Sequence, residues 1–196
     1  IDIGDLDSYT ISANAGESVQ IRVAYTGSTT ALAPALFLYG PSGALVTSNS
    51  GRPVADINVC PTCTLKLTES GTYTVVVADG TAGGAQTGNY NIYYAKAPGA
   101  NEGGALINGG VRADAIDIGD LDSYTISANA GESIQISVTD TSGGTFAPFV
   151  WLYGPDGNLV TSASSGTVAT IIRQLAVTGT YTVVVADGTQ GAAQTG

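Results

Sequence analysis

The sequence predicts an all-β protein built from two tandem β-sandwich domains with a jelly-roll-like arrangement of strands. Three observations predict this fold. Apolar and polar residues alternate in short segments, glycine and proline separate these segments, and most of the sequence occurs twice. Alternation with a period of two is typical of strands that bury one face, and glycine and proline mark turns. A long unit that recurs indicates one domain that has been copied.

The strands can be followed in order through the first copy. Alternating segments occur around Tyr9 and Ile11 and over Val19–Val23, Tyr73–Val77 and Tyr90–Tyr94. Turn-forming residues lie between these segments, and the clearest turn is Gly-Pro-Ser-Gly at residues 40–43. Short strands at this spacing, without a helical pattern between them, favour a β-sandwich or a jelly roll.

The repeat is the strongest signal in the sequence. Residues Ile1–Ser18 recur unchanged as Ile116–Ser133, and Gly71–Thr81 recur as Gly179–Thr189. The second copy is shorter than the first in two places, an early loop and the stretch that precedes Gly179–Thr189. Loops tolerate such differences. The sequence is therefore typical of a repeat array.

The domain boundaries are predicted from the place where alternation stops. We expect a first domain over residues 1–97, a linker over 98–104 that contains Pro98, and a second domain over 105–196. The first copy continues into the alternating segment Asn89–Ala95, whereas the second copy ends before the counterpart of that segment. The second domain is therefore expected to be incomplete, with its last strand missing.

Charge and composition exclude several classes of function. The formal net charge is −10, and the six lysines and arginines lie singly along the chain, which argues against binding to nucleic acid. No apolar stretch approaches the roughly 18 residues of a transmembrane helix, so membrane insertion is not expected. The sequence begins at Ile1 without a signal peptide or an initiator methionine, which is typical of a mature or excised segment.

The residues that common catalytic sites require are missing. The chain has no histidine, which excludes Ser-His-Asp and Cys-His catalysis and every histidine-ligated metal site. No phosphate-binding loop and no Gly-x-Ser-x-Gly motif occurs. We therefore predict that the protein is not an enzyme.

Five short motifs, in order, carry a family resemblance: Gly4–Tyr9, Ala15–Glu17, Leu38–Gly43, Gly71–Tyr73 and Gly88–Tyr90. The first four recur in the second copy. The sequence resembles the bacterial pre-peptidase C-terminal domain family, whose relatives include the collagen-binding domains of secreted clostridial collagenases. The resemblance implies a sandwich of about 100 residues, appended to secreted or cell-surface proteins, that binds rather than reacts. Some members bind calcium, and others bind collagen or polysaccharide.

Two acidic pairs are candidate calcium ligands. Asp5 and Asp7 recur as Asp120 and Asp122, and Glu102 lies on the approach to the second pair. Carboxylates two residues apart on an extended segment point the same way, and Ca²⁺ takes six to eight oxygen ligands. The alternative is that these carboxylates cap turns and keep an edge strand soluble. No other cofactor is expected.

The two cysteines lie close together at Cys60 and Cys63, inside the stretch that the second copy lacks. A redox motif of this spacing needs its first cysteine at a helix N-terminus, and the surrounding sequence favours strands. A zinc site would need two more ligands, and no other cysteine or histidine remains. We therefore predict a local disulfide between them.

A structural or adhesive role follows from near-identical copies with few functional residues. We expect an extracellular repeat module in a surface fibre, filament or adhesin stalk; the alternative is a calcium-, collagen- or polysaccharide-binding module of a secreted protease or other hydrolase. The expected partners are further copies of the chain, in head-to-tail contact, and extracellular matrix or polysaccharide. Tyr90, Ile92 and Tyr94 are the candidate interface, because a strand donated by another copy would complete an open sheet. Five aromatic residues are candidates for stacking on sugars: Tyr39, Tyr93, Tyr94, Phe149 and Trp151.

Overall fold

The computed structural model describes residues 1–27, 32–58, 65–99, 103–189 and 194–196. Strands joined by turns make up the regular structure of these residues, so the predicted all-β fold is confirmed. No helix in the described part of the chain is long and apolar enough to cross a membrane.

The first repeat contains seven strands. They are β1 (Leu6–Ala13), β2 (Ser18–Tyr25), β3 (Pro34–Tyr39), β4 (Leu45–Ser50), β5 (Val54–Ile57), β6 (Gly71–Asp79) and β7 (Tyr90–Ala97). They form a four-stranded sheet in the order β1-β6-β3-β4 and a three-stranded sheet in the order β5-β2-β7. All pairings are antiparallel.

The core of the first repeat lies between these two sheets. Alternate apolar side chains of each strand point inward, such as Val19, Ile21 and Val23 from β2 and Val75 and Val77 from β6. These five side chains are at most 1 % exposed. Burial of this apolar surface is the main stabilising contribution to a sandwich of this kind.

The second repeat follows the same plan. Its strands are β8 (Gly104–Ala105), β9 (Asp122–Ala128), β10 (Ser133–Thr139), β11 (Pro148–Tyr153), β12 (Leu159–Ser164), β13 (Val168–Gln174) and β14 (Gly179–Asp187). They form a five-stranded sheet in the order β12-β11-β14-β9-β8 and a two-stranded sheet of β10 and β13. Only the pairing of β8 with β9 is parallel, among the strands of residues 103–189.

The equivalent tyrosines of the two repeats differ in burial. Tyr9 in β1 is 39 % exposed, whereas Tyr124 in β9 is 5 % exposed. The reason is β8, which pairs with β9, together with Gly103, where an added Cβ would lie 2.0 Å from the Tyr124 ring. Alternation predicts an equal, buried environment for both tyrosines and misses this difference, because the segment that covers Tyr124 comes from outside the alternating pattern.

Candidate interaction site between the two repeats

Strand β2 is buried on both of its faces, because all eight of its residues are shielded from solvent. One face supplies the core of the first repeat. The other face carries Ser18, Gln20 and Arg22, which are polar and at most 4 % exposed. The equivalent strand of the second repeat, β10, exposes its corresponding residues, including Gln135 and Ser137. Since the two strands have nearly the same sequence, a neighbour must cover the outer face of β2.

The neighbour is the second repeat. A cluster of buried apolar residues joins β7 of the first repeat to the outer face of the five-stranded sheet. Its buried members are Ala95, Ala97, Leu121, Phe149, Trp151, Tyr153, Val184 and Ala186. The rings of Phe149 and Trp151 stack within this cluster, with their centroids 3.9 Å apart. The contact therefore has an apolar centre, as stable protein interfaces do.

Two hydrogen bonds fix the position of β2 on this surface. The Ser18 hydroxyl donates to the carbonyl oxygen of Gly157 at 2.7 Å, and the Gln20 amide donates to the Tyr153 hydroxyl at 2.9 Å. Both bonds are buried. Burial raises the pKa of the Tyr153 hydroxyl, so this group stays protonated at neutral pH. Buried polar groups need such partners, because an unpaired one costs free energy.

Arg22 places a positive charge in the contact. Its guanidinium donates to the carbonyl oxygen of Asp187 at 3.3 Å and reaches that of Asp120 at 3.5 Å. Burial lowers the pKa of Arg22 to about 10, and the carboxylates of Asp56, Asp187 and Asp120 oppose that shift. Arg22 therefore remains charged at neutral pH. Among the described residues, its Nε atom has no hydrogen-bond partner.

Two glycines allow the backbones to approach. A Cβ added to Gly157 would lie 2.6 Å from the carbonyl oxygen of Gly16, and one added to Gly119 would lie 2.6 Å from the Cβ of Ala24. Both distances are too short for a real side chain. Both glycines also have positive φ values, +75° and +82°, which other residues rarely adopt. The contact thus requires glycine at these positions for space and for backbone conformation.

Further bonds surround this contact. The linker residue Gly99 exchanges two hydrogen bonds of 2.8 Å with the Thr182 hydroxyl, which is buried. At the exposed edge, Lys66 donates to the carbonyl oxygen of Asp156 and to the side chain of Asn158. Exposed polar contacts such as those of Lys66 contribute little free energy. The buried set therefore determines the geometry.

The candidate calcium ligands lie in turns and strand ends of their own repeats. Asp5 and Asp120 each accept a hydrogen bond from the backbone of the following residue. Asp7 accepts one from the Tyr90 hydroxyl at 2.6 Å, and Asp122 accepts one from the Tyr124 hydroxyl at 3.2 Å.

The hydrogen bonds accepted by Asp5, Asp7, Asp120 and Asp122 are those expected if the carboxylates cap turns. Burial raises the pKa of Asp120, with Asp117 and Asp114 adding to the shift. No three acidic or thiol side chains lie together as metal ligands in the described residues. Glu102 lies outside those residues, so calcium binding stays a prediction. The same holds for the disulfide between Cys60 and Cys63, because residues 59–64 are not described either.

The candidate interface residues of β7 point inward. Tyr90, Ile92 and Tyr94 pack against the core of the first repeat, and β7 pairs with β2 of the same repeat. Within this chain, β7 therefore completes its own sheet, and the side chains that face the second repeat are the intervening ones, Ala95 and Ala97. Strand donation between molecules stays a prediction.

Two of the aromatic candidates for sugar stacking, Phe149 and Trp151, are covered by the first repeat, whereas Tyr39, Tyr93 and Tyr94 are half-buried. Phe149 is 7 % exposed and Trp151 is fully buried, so neither presents a ring to solvent. Sequence reasoning missed the role of Ser18, Gln20 and Arg22. A signal was present: Arg22 is a lone charge in an apolar strand, and it is replaced by Ser137 in the second copy although the flanking residues barely change.

Comparison with known proteins finds a family match within the first repeat. Residues 5–79 match the family model of the bacterial pre-peptidase C-terminal domain. No curated protein matches the chain. A solved structure of oxalate decarboxylase is similar at a TM-score of 0.14 and 9 % identity, covering 92 % of this chain and 68 % of that chain. The family resemblance of the first repeat is thus confirmed over residues 5–79.

Proposed function

We propose that the chain is a non-catalytic, extracellular repeat module with a structural or adhesive role, in which successive repeats stack through a fixed contact. The contact between the repeats is the observation that carries this proposal. It buries an apolar cluster together with Ser18, Gln20 and Arg22. A flexible tether between independent domains would leave these side chains in water.

The two surfaces in the contact differ, which suits a repeating structure. The first repeat contributes the outer face of β5-β2-β7, and the second contributes the outer face of its five-stranded sheet. A contact between unlike surfaces can be repeated from one unit to the next, and it extends an array without closing it. Each repeat then serves as a spacer of defined length and orientation.

The family match of residues 5–79 supports a module that does not catalyse a reaction. The family description places such domains at the C-terminal side of peptidases, which are secreted bacterial proteins, and this favours an extracellular location. In this proposal the partners are other repeats, together with extracellular matrix or polysaccharide at exposed faces.

The same description favours a second candidate function. A pre-peptidase C-terminal domain stands beside a peptidase. In this second proposal it would serve as a binding or secretion module, with calcium, collagen or polysaccharide as the ligands expected from the resemblance. The two candidates differ in what surrounds the repeats. A fibre needs further copies of the repeat, whereas a protease module needs a catalytic domain in the same gene product.

Negative-stain electron microscopy of the native material tests the proposal, combined with a protease assay on the same sample. We expect continuous fibres or stalks without protease activity. Separate particles that cleave protein would contradict the structural role and support the second candidate.

A further inference from the structure

The surface that the second repeat contributes to the contact occurs a second time in this chain, on the first repeat, and there it is open. Of the surface that the first repeat contributes, the part formed by β2 and β5 occurs a second time, as β10 and β13, whereas the part formed by β7 does not. We call the outer face of β1-β6-β3-β4 in the first repeat the front face; its residues include Phe37, Tyr39, Val76 and Ala78. We call the outer face of β10 and β13 the back face; its residues include Ser133, Gln135, Ser137 and Thr170.

The front face corresponds to the surface that the first repeat covers on the second. Phe37 and Tyr39 occupy the positions of Trp151 and Tyr153, and Val76 occupies that of Val184. Trp151, Tyr153 and Val184 are at most 1 % exposed. Their front-face counterparts Phe37, Tyr39 and Val76 are only half-buried. Leu6 and Leu45 at its borders are 65 % and 52 % exposed. The front face is thus an apolar sheet surface in contact with solvent.

The back face corresponds to the outer face of β2 and β5. Ser133 and Gln135 stand where Ser18 and Gln20 stand, and both are exposed. The front face retains their acceptors, since Gly43 and Tyr39 stand where Gly157 and Tyr153 stand. Gly43 also keeps the positive φ of Gly157, at +79° against +75°. Donors and acceptors of both buried hydrogen bonds are therefore present on the two open faces.

We infer that the back face of one molecule docks on the front face of a second copy of this chain, in the geometry of the in-chain contact. In that arrangement Ser133 donates to the Gly43 carbonyl oxygen, and Gln135 donates to the Tyr39 hydroxyl. This inference rests on the proposed function and adds the residues and the direction of assembly. Because the two faces differ, an assembly of any length keeps one free front face and one free back face. It therefore grows as an open chain.

The contact between molecules is weaker than the in-chain contact. The β10-β13 sheet has no counterpart of β7, so Ala95 and Ala97 of the in-chain apolar cluster are not matched. Ser137 stands where Arg22 stands, so the charged donor to two backbone carbonyls is replaced by a short hydroxyl. Phe37 also replaces the larger Trp151. Association between molecules should therefore be reversible and dependent on concentration. Ser137→Arg restores the missing donor and should tighten association about 10- to 150-fold, since a charged hydrogen bond is worth about 1.5–3 kcal/mol.

Two variants test the direction of docking by sedimentation analysis over a concentration series. Phe37→Glu puts a charge on the front face, and Ser137→Glu puts one on the back face. We expect the unchanged chain to grow in mass with concentration, each variant alone to stay monomeric, and an equimolar mixture to stop at a dimer. In the mixture, Ser137→Glu molecules keep an intact front face and Phe37→Glu molecules keep an intact back face. One contact can therefore form between the two variants, and no intact face remains for a third molecule.

A third variant covers the case in which Phe37→Glu fails to fold. A Cβ added to Gly43 meets nothing within 4 Å in the single chain, but in the proposed assembly it would collide with the backbone at Gly131, as Gly157 would with Gly16. Gly43→Ala should therefore block growth and still form a dimer with Ser137→Glu. Growth of either variant alone, or a mixture that stays monomeric, would overturn the inference.

The fluorescence of Trp151 in the same samples separates this inference from the proposed function. A monomer that stays monomeric at every concentration, also with Ser137→Arg, and keeps Trp151 protected from a soluble quencher overturns only the docking between molecules. A monomer in which the quencher reaches Trp151 lacks the in-chain contact and overturns the proposed function as well.

Discussion

The side-chain amide of Gln20 donates a hydrogen bond to the Tyr153 hydroxyl, with nitrogen and oxygen 2.9 Å apart and both groups buried between the repeats. Neither residue serves the core of its own repeat. Gln20 lies on the outer face of β2, and Tyr153 lies on the outer face of β11. The bond therefore exists only when the two repeats are in contact.

Tyr153→Phe removes the acceptor of this bond and leaves the Gln20 amide buried without it. We expect the free energy of unfolding to fall by about 1–3 kcal/mol, the cost of an unsatisfied buried polar group. Chemical denaturation measures this. The matched control is Tyr39→Phe at the equivalent, half-buried position of the first repeat, which should change little in dilute solution. An equal loss in both variants would show that the bond does not stabilise the contact.

Gly157→Ala tests the close approach of the two backbones. The added Cβ would lie 2.6 Å from the Gly16 carbonyl oxygen, so the repeats must separate. Gly43→Ala has the same backbone strain, roughly 1–2 kcal/mol at positive φ, without a neighbour within 4 Å. We expect only Gly157→Ala to increase the radius of gyration in small-angle X-ray scattering of dilute protein. An unchanged radius for Gly157→Ala would contradict the contact.

Arg22→Ser should destabilise the protein more at neutral pH than at about pH 4. Burial raises the pKa of Asp56, and the positive charge of Arg22 limits that rise. A carboxyl whose folded pKa is raised favours the folded state below its unfolded pKa, and this contribution is lost as pH rises through the folded pKa. Removing Arg22 raises the pKa of Asp56 further, so the loss becomes larger and extends to higher pH.

Urea denaturation of both proteins at about pH 4 and at pH 7 measures the effect. At the lower pH, Asp56 is protonated to a greater extent in the folded state, and the missing attraction costs less. Arg173→Ser, at an exposed position of β13, is the control and should show no such dependence. The same cost for Arg22→Ser at both pH values would mean that the attraction between Arg22 and Asp56 is negligible.

The sandwich of each repeat could be predicted from the sequence, because alternation and turn residues record which side chains face a core. Val19, Ile21 and Val23 were assigned correctly on this basis. The contact between repeats could not be predicted in the same way. Ser18, Gln20 and Arg22 look like solvent-facing residues of an ordinary strand, and only the surface of the other repeat makes their face buried. For β7, alternation identifies two faces but does not say which one meets a neighbour.

The calcium prediction can be tested directly through Asp122. If Asp120, Asp122 and Glu102 bind Ca²⁺, the ion should raise the melting temperature by mass action, and chelation should reverse the rise. Asp122→Asn should abolish the response, whereas Asp156→Asn, in an exposed turn of the same repeat, should leave it intact. The absence of any shift at millimolar calcium would refute the site.

The central claim is that the two repeats form one fixed contact, and the single tryptophan reports on it. Trp151 is fully buried although it lies on the outer face of its sheet, where residues of the first repeat cover it. Acrylamide quenching of tryptophan fluorescence in the dilute, folded protein is the most direct measurement. The contact predicts weak quenching that becomes strong in Gly157→Ala and stays weak in Gly43→Ala. Strong quenching of the unchanged protein would show that the repeats move independently and would contradict the contact.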